Sequence, residues 1–438
     1  MRIVLLLCSF YYCAASQLTD PFANFGSSTN NVVLLSADDV WWASGVFPAG
    51  NTLIVQQYGS YSFIKLDSNG TQLATLSAPF GYSGNSPDCS VYWGSSYFVT
   101  AGENKVAAYD YNLTPIASFG LNGIKTLDDV IGLQQLTAVT SEGTYIYVGG
   151  GIQVDDSHFN TTIVRLTLDG RLDTTFNSSN TPGYIMIDSN GWTPHQLLVV
   201  NKHLIIKTSD NQLISLSLTD SSNISVVNNI SFGETCSMTA DSKGKSLYTL
   251  QGTTLYKYDT LLNADTSLNP TGQYPGQYTL DFASISDTLT NPNIMLVQMI
   301  NNQLFVGGTY QPSNTNDSLI HNTAHIAPFL ISYNVNNSVP TLDTSFLGTG
   351  YFIGHYTDYP YNGTNNPQDP NESPMKITLT QNYFPTIFFT CGPHITRLPL
   401  NYSFVQNSQI IPPTVTNKIA YYTAQNKIIP ILAGMSFL

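Results

Sequence analysis

The feature that most constrains the fold is a two-strand unit that recurs seven times along the chain. In its clearest copy, residues 144–150 and 162–168 are apolar or β-branched segments, and the second one ends at the turn Asp169-Gly170. Alternate side chains of 162–168 point to opposite faces of an extended strand. An Asp-Gly pair tolerates the positive φ angles of a tight hairpin turn. The sequence therefore predicts a β-hairpin here.

Six further pairs of segments follow the same pattern. They are 51–56 with 62–66, 96–100 with 105–109, 203–208 with 212–218, 246–250 with 254–258, 303–308 with 329–333, and 386–390 with 394–398. A single hairpin cannot bury both of its faces, so the copies must stack into one continuous core. Radial closure of four-stranded blades also protects the strand edges. We predict an all-β protein, a β-propeller with seven four-stranded blades; a right-handed β-helix, whose repeats are shorter and more even, is the alternative.

Four segments between these hairpins resemble a known repeat. Residues 163–176, IVRLTLDGRLDTTF, are followed by Gly183, and Leu342-Asp-Thr-Ser-Phe346 is followed by Gly348 and Gly350. Residues 109–123 and 262–268 are more divergent copies. These segments resemble the delta-60 repeat, in which a strand leads to the pattern DG.LDTTFG..G. The resemblance implies a propeller-like array, often in secreted or surface proteins, and carries over no catalytic residue.

The chain divides into three predicted parts. Residues 1–16 have the pattern of a secretory signal, with Arg2, an apolar stretch over 3–12 and the small residues 14–16, and we place cleavage before Gln17. Residues 17–409 form the predicted propeller. The apolar tail 410–438 is expected to supply a closing strand or a contact to a second subunit; as a lipid-anchor signal it lacks a polar spacer.

Charge limits the classes of partner. Charged residues make up 10% of the chain and the formal net charge is −13, whereas ordinary domains contain about 25% charged residues. An acidic protein is repelled by the phosphates of nucleic acids and by anionic membranes. No segment approaches the roughly 18 apolar residues of a membrane span. We therefore expect a protein or glycan partner at the cell surface, no nucleic acid and no membrane span.

The cysteines and sequons fit a secreted protein. Cys8 and Cys13 would leave with the signal, so Cys89, Cys236 and Cys391 allow at most one internal disulfide, of undetermined pairing. Asn-x-Ser/Thr sites are candidate glycan acceptors on surface loops. The candidates are Asn69, Asn112, Asn160, Asn177, Asn223, Asn229, Asn316, Asn336, Asn362 and Asn401.

Aromatic side chains in predicted loops are the candidate binding residues, because amphipathic rings suit half-buried contacts with sugars or proteins. The alternative is that the tryptophans fill the interfaces between blades. The candidates are Trp41, Trp42, Trp93, Trp192, Tyr356, Tyr359 and Tyr361.

Catalytic and metal-binding patterns are weak. His321 and His325 have i, i+4 spacing but lie in a polar insert without the glutamate of a zinc protease. Paired acids at 38–39, 128–129 and 155–156 suit turns, since adjacent strand residues point to opposite faces. We therefore predict no catalytic residue, no metal and no cofactor.

Three functions remain open from the sequence. The first is a secreted, non-enzymatic glycoprotein that acts as a protein-interaction or structural surface and self-associates through its tail. The second is a carbohydrate-binding propeller. The third is a secreted hydrolase or lyase that uses Asp38, Asp128 and Asp155.

Overall fold

The computed structural model defines most of the region between residues 23 and 400. The described residues are 23–26, 32–35, 43–57, 62–77, 79–80, 90–93, 97–130, 132–155, 159–187, 193–209, 212–220, 222, 224–231, 235–241, 243–287, 289, 292–300, 302–310, 327–354, 377–379, 386–391 and 394–400. The predicted signal 1–16 and the predicted tail 410–438 lie outside them. Within the described residues there is no helix, and none therefore that is long and apolar enough to cross a bilayer.

The described strands form seven antiparallel sheets, which we number along the chain. Sheet 1 contains β2 (Ala43–Ala49), β3 (Thr52–Gln57), β4 (Ser62–Leu66) and β5 (Gln72–Ser77). Sheet 2 contains β6 (Ser90–Trp93), β7 (Tyr97–Gly102), β8 (Lys105–Asp110) and β9 (Ile124–Thr126). Sheet 3 contains β10 (Leu133–Glu142), β11 (Tyr145–Gln153), β12 (Phe159–Thr167) and β13 (Tyr184–Ile187).

The later sheets follow the same order. Sheet 4 contains β14 (Pro194–Val200), β15 (His203–Thr208), β16 (Gln212–Ser217) and β17 (Ser225–Ser231). Sheet 5 contains β18 (Thr235–Ala240), β19 (Leu247–Gln251), β20 (Thr254–Tyr258) and β21 (Gln277–Thr279). Sheet 6 contains β22 (Asn293–Ile300), β23 (Gln303–Tyr310), β24 (Ala327–Asn334), β25 (Thr341–Leu342) and β26 (Tyr351–Ile353). Sheet 7 contains β27 (Ile377–Leu379), β28 (Thr386–Cys391), β29 (His394–Pro399) and the N-terminal strand β1 (Val32–Leu34).

The all-β propeller prediction is confirmed, and the β-helix alternative is wrong, because every described strand pair within a sheet is antiparallel. The seven predicted hairpins are the second and third strands of the seven sheets. Sheet 6 departs from the predicted four strands because its outer edge is split into β25 and β26, which both pair with β24. In sheets 2, 3 and 5 the counterpart of β25 is a single bridge, such as Leu166 with Leu172.

Seven clusters of buried apolar side chains hold the sheets together, and each cluster is shared by two neighbouring sheets. On β12, Val164 contributes to the cluster with sheet 2, whereas Ile163 contributes to the cluster with sheet 4. Strand alternation therefore serves two interfaces at once. The last cluster joins sheet 7 back to sheet 1 through Phe388 and Val55.

First strands of several neighbouring sheets contact each other, as expected at the centre of a propeller. Hydrogen bonds show this directly in sheets 5 and 6, where Ser237 Oγ donates to Val297 O (2.9 Å) and Met299 N donates to Thr239 Oγ1 (2.8 Å). These two bonds advance in the same direction along both strands, so β18 and β22 run parallel. We call the end where the first strands begin the start face, and the opposite end, where the third strand turns into the fourth, the turn face.

Four sheets share one arrangement between their third and fourth strands, which we call the motif turn (residues 108–123, 165–183, 257–276 and 332–350). In sheet 3, Arg165 N donates to Gly183 O (3.0 Å), Asp173 N donates to Arg165 O (3.0 Å), and Gly183 N donates to Phe176 O (2.7 Å). The other three copies make the same three bonds at equivalent positions. The segments that resemble the delta-60 repeat therefore share one backbone arrangement, while membership of that family stays a prediction.

Glycine is required at the end of the motif turn. Gly183 has a φ of +96°, and a Cβ added there would lie 2.6 Å from the Leu172 side chain. Gly350 has a φ of +90°, and its Cβ would lie 2.5 Å from Leu342. An L-residue is disfavoured by both the φ angle and the contact. The spacing of leucine and glycine in the repeat follows from this packing.

A buried ion pair strengthens the motif turn of sheet 3. Arg165 Nε donates to Asp173 Oδ2 (2.7 Å), and the two side chains are 4% and 8% exposed. The guanidinium carbon also lies 4.2 Å from the ring centre of Tyr145 and 4.7 Å from that of Phe176. Two aromatic faces and one carboxylate therefore surround the buried charge.

Candidate functional site

The start face is where the first strands depart from regular β-sheet pairing. In five sheets the first strand changes register near its beginning, which is typical of a β-bulge and re-aims the side chains there. The changes lie at Ala43/Gly45, Leu133/Gln135, Pro194/Gln196, Thr235/Met238 and Ile294/Leu296. At Leu136/Ala138 a second change follows in β10.

Glycines on the second strands allow these bulges. A Cβ at Gly150 would lie 2.3 Å from the backbone oxygen of Gln135, and a Cβ at Gly308 would lie 1.9 Å from that of Asn293. Both glycines face the irregular part of the neighbouring first strand. The close backbone approach explains why positions 150 and 308 are glycines.

Side chains of the bulged strands bind the next sheet. Gln196 Nε2 donates to Met238 O (2.8 Å), and Met238 N donates to Gln196 Oε1 (2.9 Å). Thr137 Oγ1 donates to Pro194 O. The preceding bulge residue, His195, is exposed. Sequence analysis did not single out His195 or Gln196; the one available signal was Pro194, a residue tolerated at the first position of a strand.

The aromatic candidates differ in their place in the order of the strands along the chain. Trp41, Trp42, Trp192, Tyr356, Tyr359 and Tyr361 lie outside the described residues. Their segments join a fourth strand to the first strand of the following sheet, and β2, β14 and β27 begin after them at the start face. Trp93 is the last residue of β6 and therefore lies at the opposite end of its strand. Six of the seven candidates therefore belong to segments that precede a first strand in the chain, whereas Trp93 ends a first strand.

The carboxylates proposed for a hydrolase are solvent-facing where they are described. Asp128 is exposed and accepts a hydrogen bond from Asn104 Nδ2 (3.2 Å), while Asp129 pairs with Lys125 (2.6 Å). Asp155 is exposed near the end of β11, and Asp38 lies outside the described residues. Asp128 and Asp155 therefore lack the buried surroundings that are typical of a general acid. In the described part of the chain, no three His, Cys, Asp or Glu residues group around a possible metal position.

The candidate glycan acceptors differ in accessibility. Asn69, Asn112 and Asn336 are exposed on turns between third and fourth strands, whereas Asn160 is half-buried in β12. Asn177 is 2% exposed, and its Nδ2 donates to Thr181 Oγ1 (2.8 Å) and Tyr184 O (2.9 Å). A glycan on Asn177 would replace one of the two Nδ2 hydrogens, so at least one of these two bonds would be lost. Asn229 lies in β17, and Asn223, Asn316, Asn362 and Asn401 lie outside the described residues.

Comparison with known proteins supports the fold. No family model matches the sequence, and no curated protein matches it significantly. The WD40 domain of Pan2 from Neurospora crassa is similar in structure, with a TM-score of 0.50 and 9% identity over 90% of this chain and 98% of that domain. BamB from Moraxella catarrhalis (TM-score 0.36, 11% identity, 60% and 68% coverage) and Hsv2 from Kluyvelomyces marxianus (TM-score 0.36, 8% identity, 69% and 84% coverage) also align. The chain is a β-propeller; these identities show the fold alone.

Proposed function

We propose that this protein is a secreted, non-enzymatic β-propeller whose start face binds a protein partner at the cell surface. One observation carries the proposal: the segments with Trp41, Trp42, Trp192 and the tyrosines at 356–361 all lead into first strands at that face. Rigid strands that present aromatic residues from several adjacent loops are a common basis for protein binding. The Pan2 domain supports the propeller scaffold and not the partner.

We also propose that the seven sheets are seven blades of one ring and that the chain is a delta-60 repeat protein. The seven shared clusters support the ring, and the four motif turns support the repeat. Secretion, cleavage before Gln17 and glycans on Asn69, Asn112 and Asn336 complete the proposal. The exposure of these three asparagines supports glycan attachment.

The test measures how the fluorescently labelled protein binds to intact cells of its own species. We expect Trp42→Ala and Trp192→Ala to reduce binding at least tenfold. Leu261→Ser and Tyr274→Ser provide controls at the turn face. Both side chains lie in the motif turn of sheet 5 and are exposed, at 40% and 61%. Equal binding by all four variants would refute a role for the start face.

Treatment of the cells separates the protein partner from a carbohydrate. Loss of binding after mild surface proteolysis, with retention after periodate oxidation of sugars, supports a protein partner. The reverse pattern would replace it with the carbohydrate-binding alternative, which rests on the same tryptophans and tyrosines.

A further inference from the structure

The fourth strand of sheet 7 comes from the other end of the chain. β1 pairs with β29 in the register Val32 with Thr396 and Val33 with Ile395. In sheets 1 to 6 the fourth strand follows the third directly in the chain, so a covalent turn holds the two together. Among the described residues no such turn joins β29 to β1, which is paired with β29 although it lies at the other end of the chain.

Residues 23–26 share features of the motif turn that sequence analysis missed. Phe25 is fully buried, as are Phe119 and Phe176 at the same position of their copies. The following residue has a left-handed backbone in each case: φ is +59° at Gly26, +55° at Gly120 and +52° at Asn177. The available sequence signal was the run LTDPFANFG at 18–26, which resembles LTPIASFG at 113–120.

The same segment makes the same bond to the next sheet. Gly26 N donates to Asn69 O in the turn between β4 and β5 (3.3 Å). In sheet 2 the equivalent Gly120 N donates to Asp169 O in sheet 3 (2.9 Å), and in sheet 5 Asn269 N donates to Ser338 O in sheet 6 (2.6 Å). The described parts of this segment, 23–26 and 32–35, therefore share a buried ring, a left-handed residue and a bond to the next sheet with the unit that elsewhere follows a third strand.

The segment lies in the seam between sheets 7 and 1. The Phe25 ring meets the Phe388 ring edge-on, with 5.3 Å between their centres. Val33 is so close to Gly70 that a Cβ there would lie 2.4 Å from the valine Cγ2. Both sheets therefore contact residues 23–35, and the seam holds the segment with a buried aromatic ring, a strand pairing and a backbone hydrogen bond.

We propose that this seam is a strand-acceptor site and that two copies of the protein assemble by exchanging residues 23–35. The acceptor contacts are identical whether the segment comes from the same chain or from a second copy. The two pairings differ only in the connection through residues 36–42 to β2. This connection sets the effective concentration of the segment at the acceptor site of its own chain, and so the balance between pairing within one chain and pairing between two copies. A segment without a covalent hairpin on its acceptor strand exchanges without opening any other sheet.

The experiment uses two full-length single-cysteine additions with different affinity tags. Val33→Cys carries one tag and Ile395→Cys carries the other, and the two positions face each other in the strand pair. The proteins are mixed over a range of concentrations and oxidised, and linked peptides are identified by mass spectrometry. The double variant Val33→Cys/Ile395→Cys measures pairing within one chain, and a mixture of two Val33→Cys proteins measures background from Cys89, Cys236 and Cys391.

Each outcome decides the proposal. We expect the double variant to form a 33–395 link, and the mixture to form an intermolecular 33–395 link whose yield rises with protein concentration. A link in the double variant without any in the mixture would overturn exchange between copies. Absence of the link in the double variant would overturn the acceptor site itself.

Discussion

Replacement of Asp173 by asparagine removes the anion that balances the buried Arg165 guanidinium. The asparagine keeps the shape of the side chain and can still accept the bond that Thr175 N donates to Asp173 Oδ1 (3.1 Å). It cannot neutralise the arginine, which is 4% exposed. Breaking a buried ion pair by removing one partner costs about 3–5 kcal/mol, because the remaining charge stays buried without compensation.

Sheet 6 provides a matched control. Asp343 makes the same turn bonds, since Ser345 N donates to Asp343 Oδ1 (3.1 Å) and Ser345 Oγ donates to the same atom (2.6 Å). Ser332 stands where sheet 3 has Arg165, so no cation is left behind by Asp343→Asn. We expect that substitution to cost about 1 kcal/mol, the ordinary contribution of a hydrogen bond. The difference of about 2–4 kcal/mol between the two variants measures the unpaired charge.

Urea unfolding followed by both circular dichroism and fluorescence measures the two free energies, provided that the transitions coincide and the slopes match those of the wild type. The double variant Arg165→Met/Asp173→Asn removes both charges and should recover most of the loss. Equal destabilisation by Asp173→Asn and Asp343→Asn would refute the reasoning, as would a double variant no more stable than Asp173→Asn alone.

Three further predictions follow from single contacts. Phe25→Ala should destabilise the fold by about 3–5 kcal/mol because it empties a buried aromatic position, whereas a change within about 0.5 kcal/mol in urea unfolding would mean that the N-terminal segment is not docked. Gly308→Ala should lower the free energy of unfolding by about 3 kcal/mol or more, because its Cβ would lie 1.9 Å from a backbone oxygen. Gly143→Ala, at a φ of +59° with open space around it, should lower it by only about 1–2 kcal/mol. Equal destabilisation by the two substitutions would contradict the close approach at Gly308. Burial raises the pKa of Asp265, but hydrogen bonds from Lys257 and Ser267 outweigh it and leave the pKa below its usual 3.8. The wild type should therefore be about 1 kcal/mol more stable than Asp265→Asn at neutral pH, and this difference should disappear as the pH falls below 3.8 through the folded-state pKa. A difference that persists at lower pH would exclude the ionised carboxylate as its source.

The second and third strands of each sheet could be located from sequence because both of their faces are buried between neighbouring sheets. Residues 203–208 show this pattern, with only His203 less than fully buried. The first and fourth strands were harder to recognise. β21 spans three residues with no buried side chain, and β14 mixes buried, half-buried and exposed positions, so neither has the continuous apolar pattern of a central strand.

The sequence by itself determined the repeat, the hairpins and the glycine-dependent turns, because these depend on residues close together in the chain. Local backbone geometry requires Gly183 and Gly350 in any copy of the motif turn. Strand alternation on β12 likewise determines which side chains are buried, whatever sheets lie on either side.

Only the tertiary structure decided which strand completes sheet 7 and which loops share a face. The pairing of Val33 with Ile395 joins residues 362 positions apart (395 minus 33), and three-residue strands carry too little pattern to predict such a partner. The start face depends in the same way on the direction of the first strands in the seven sheets. Contacts between distant segments depend on how whole sheets pack, and the spacing of residues within one segment does not predict that packing.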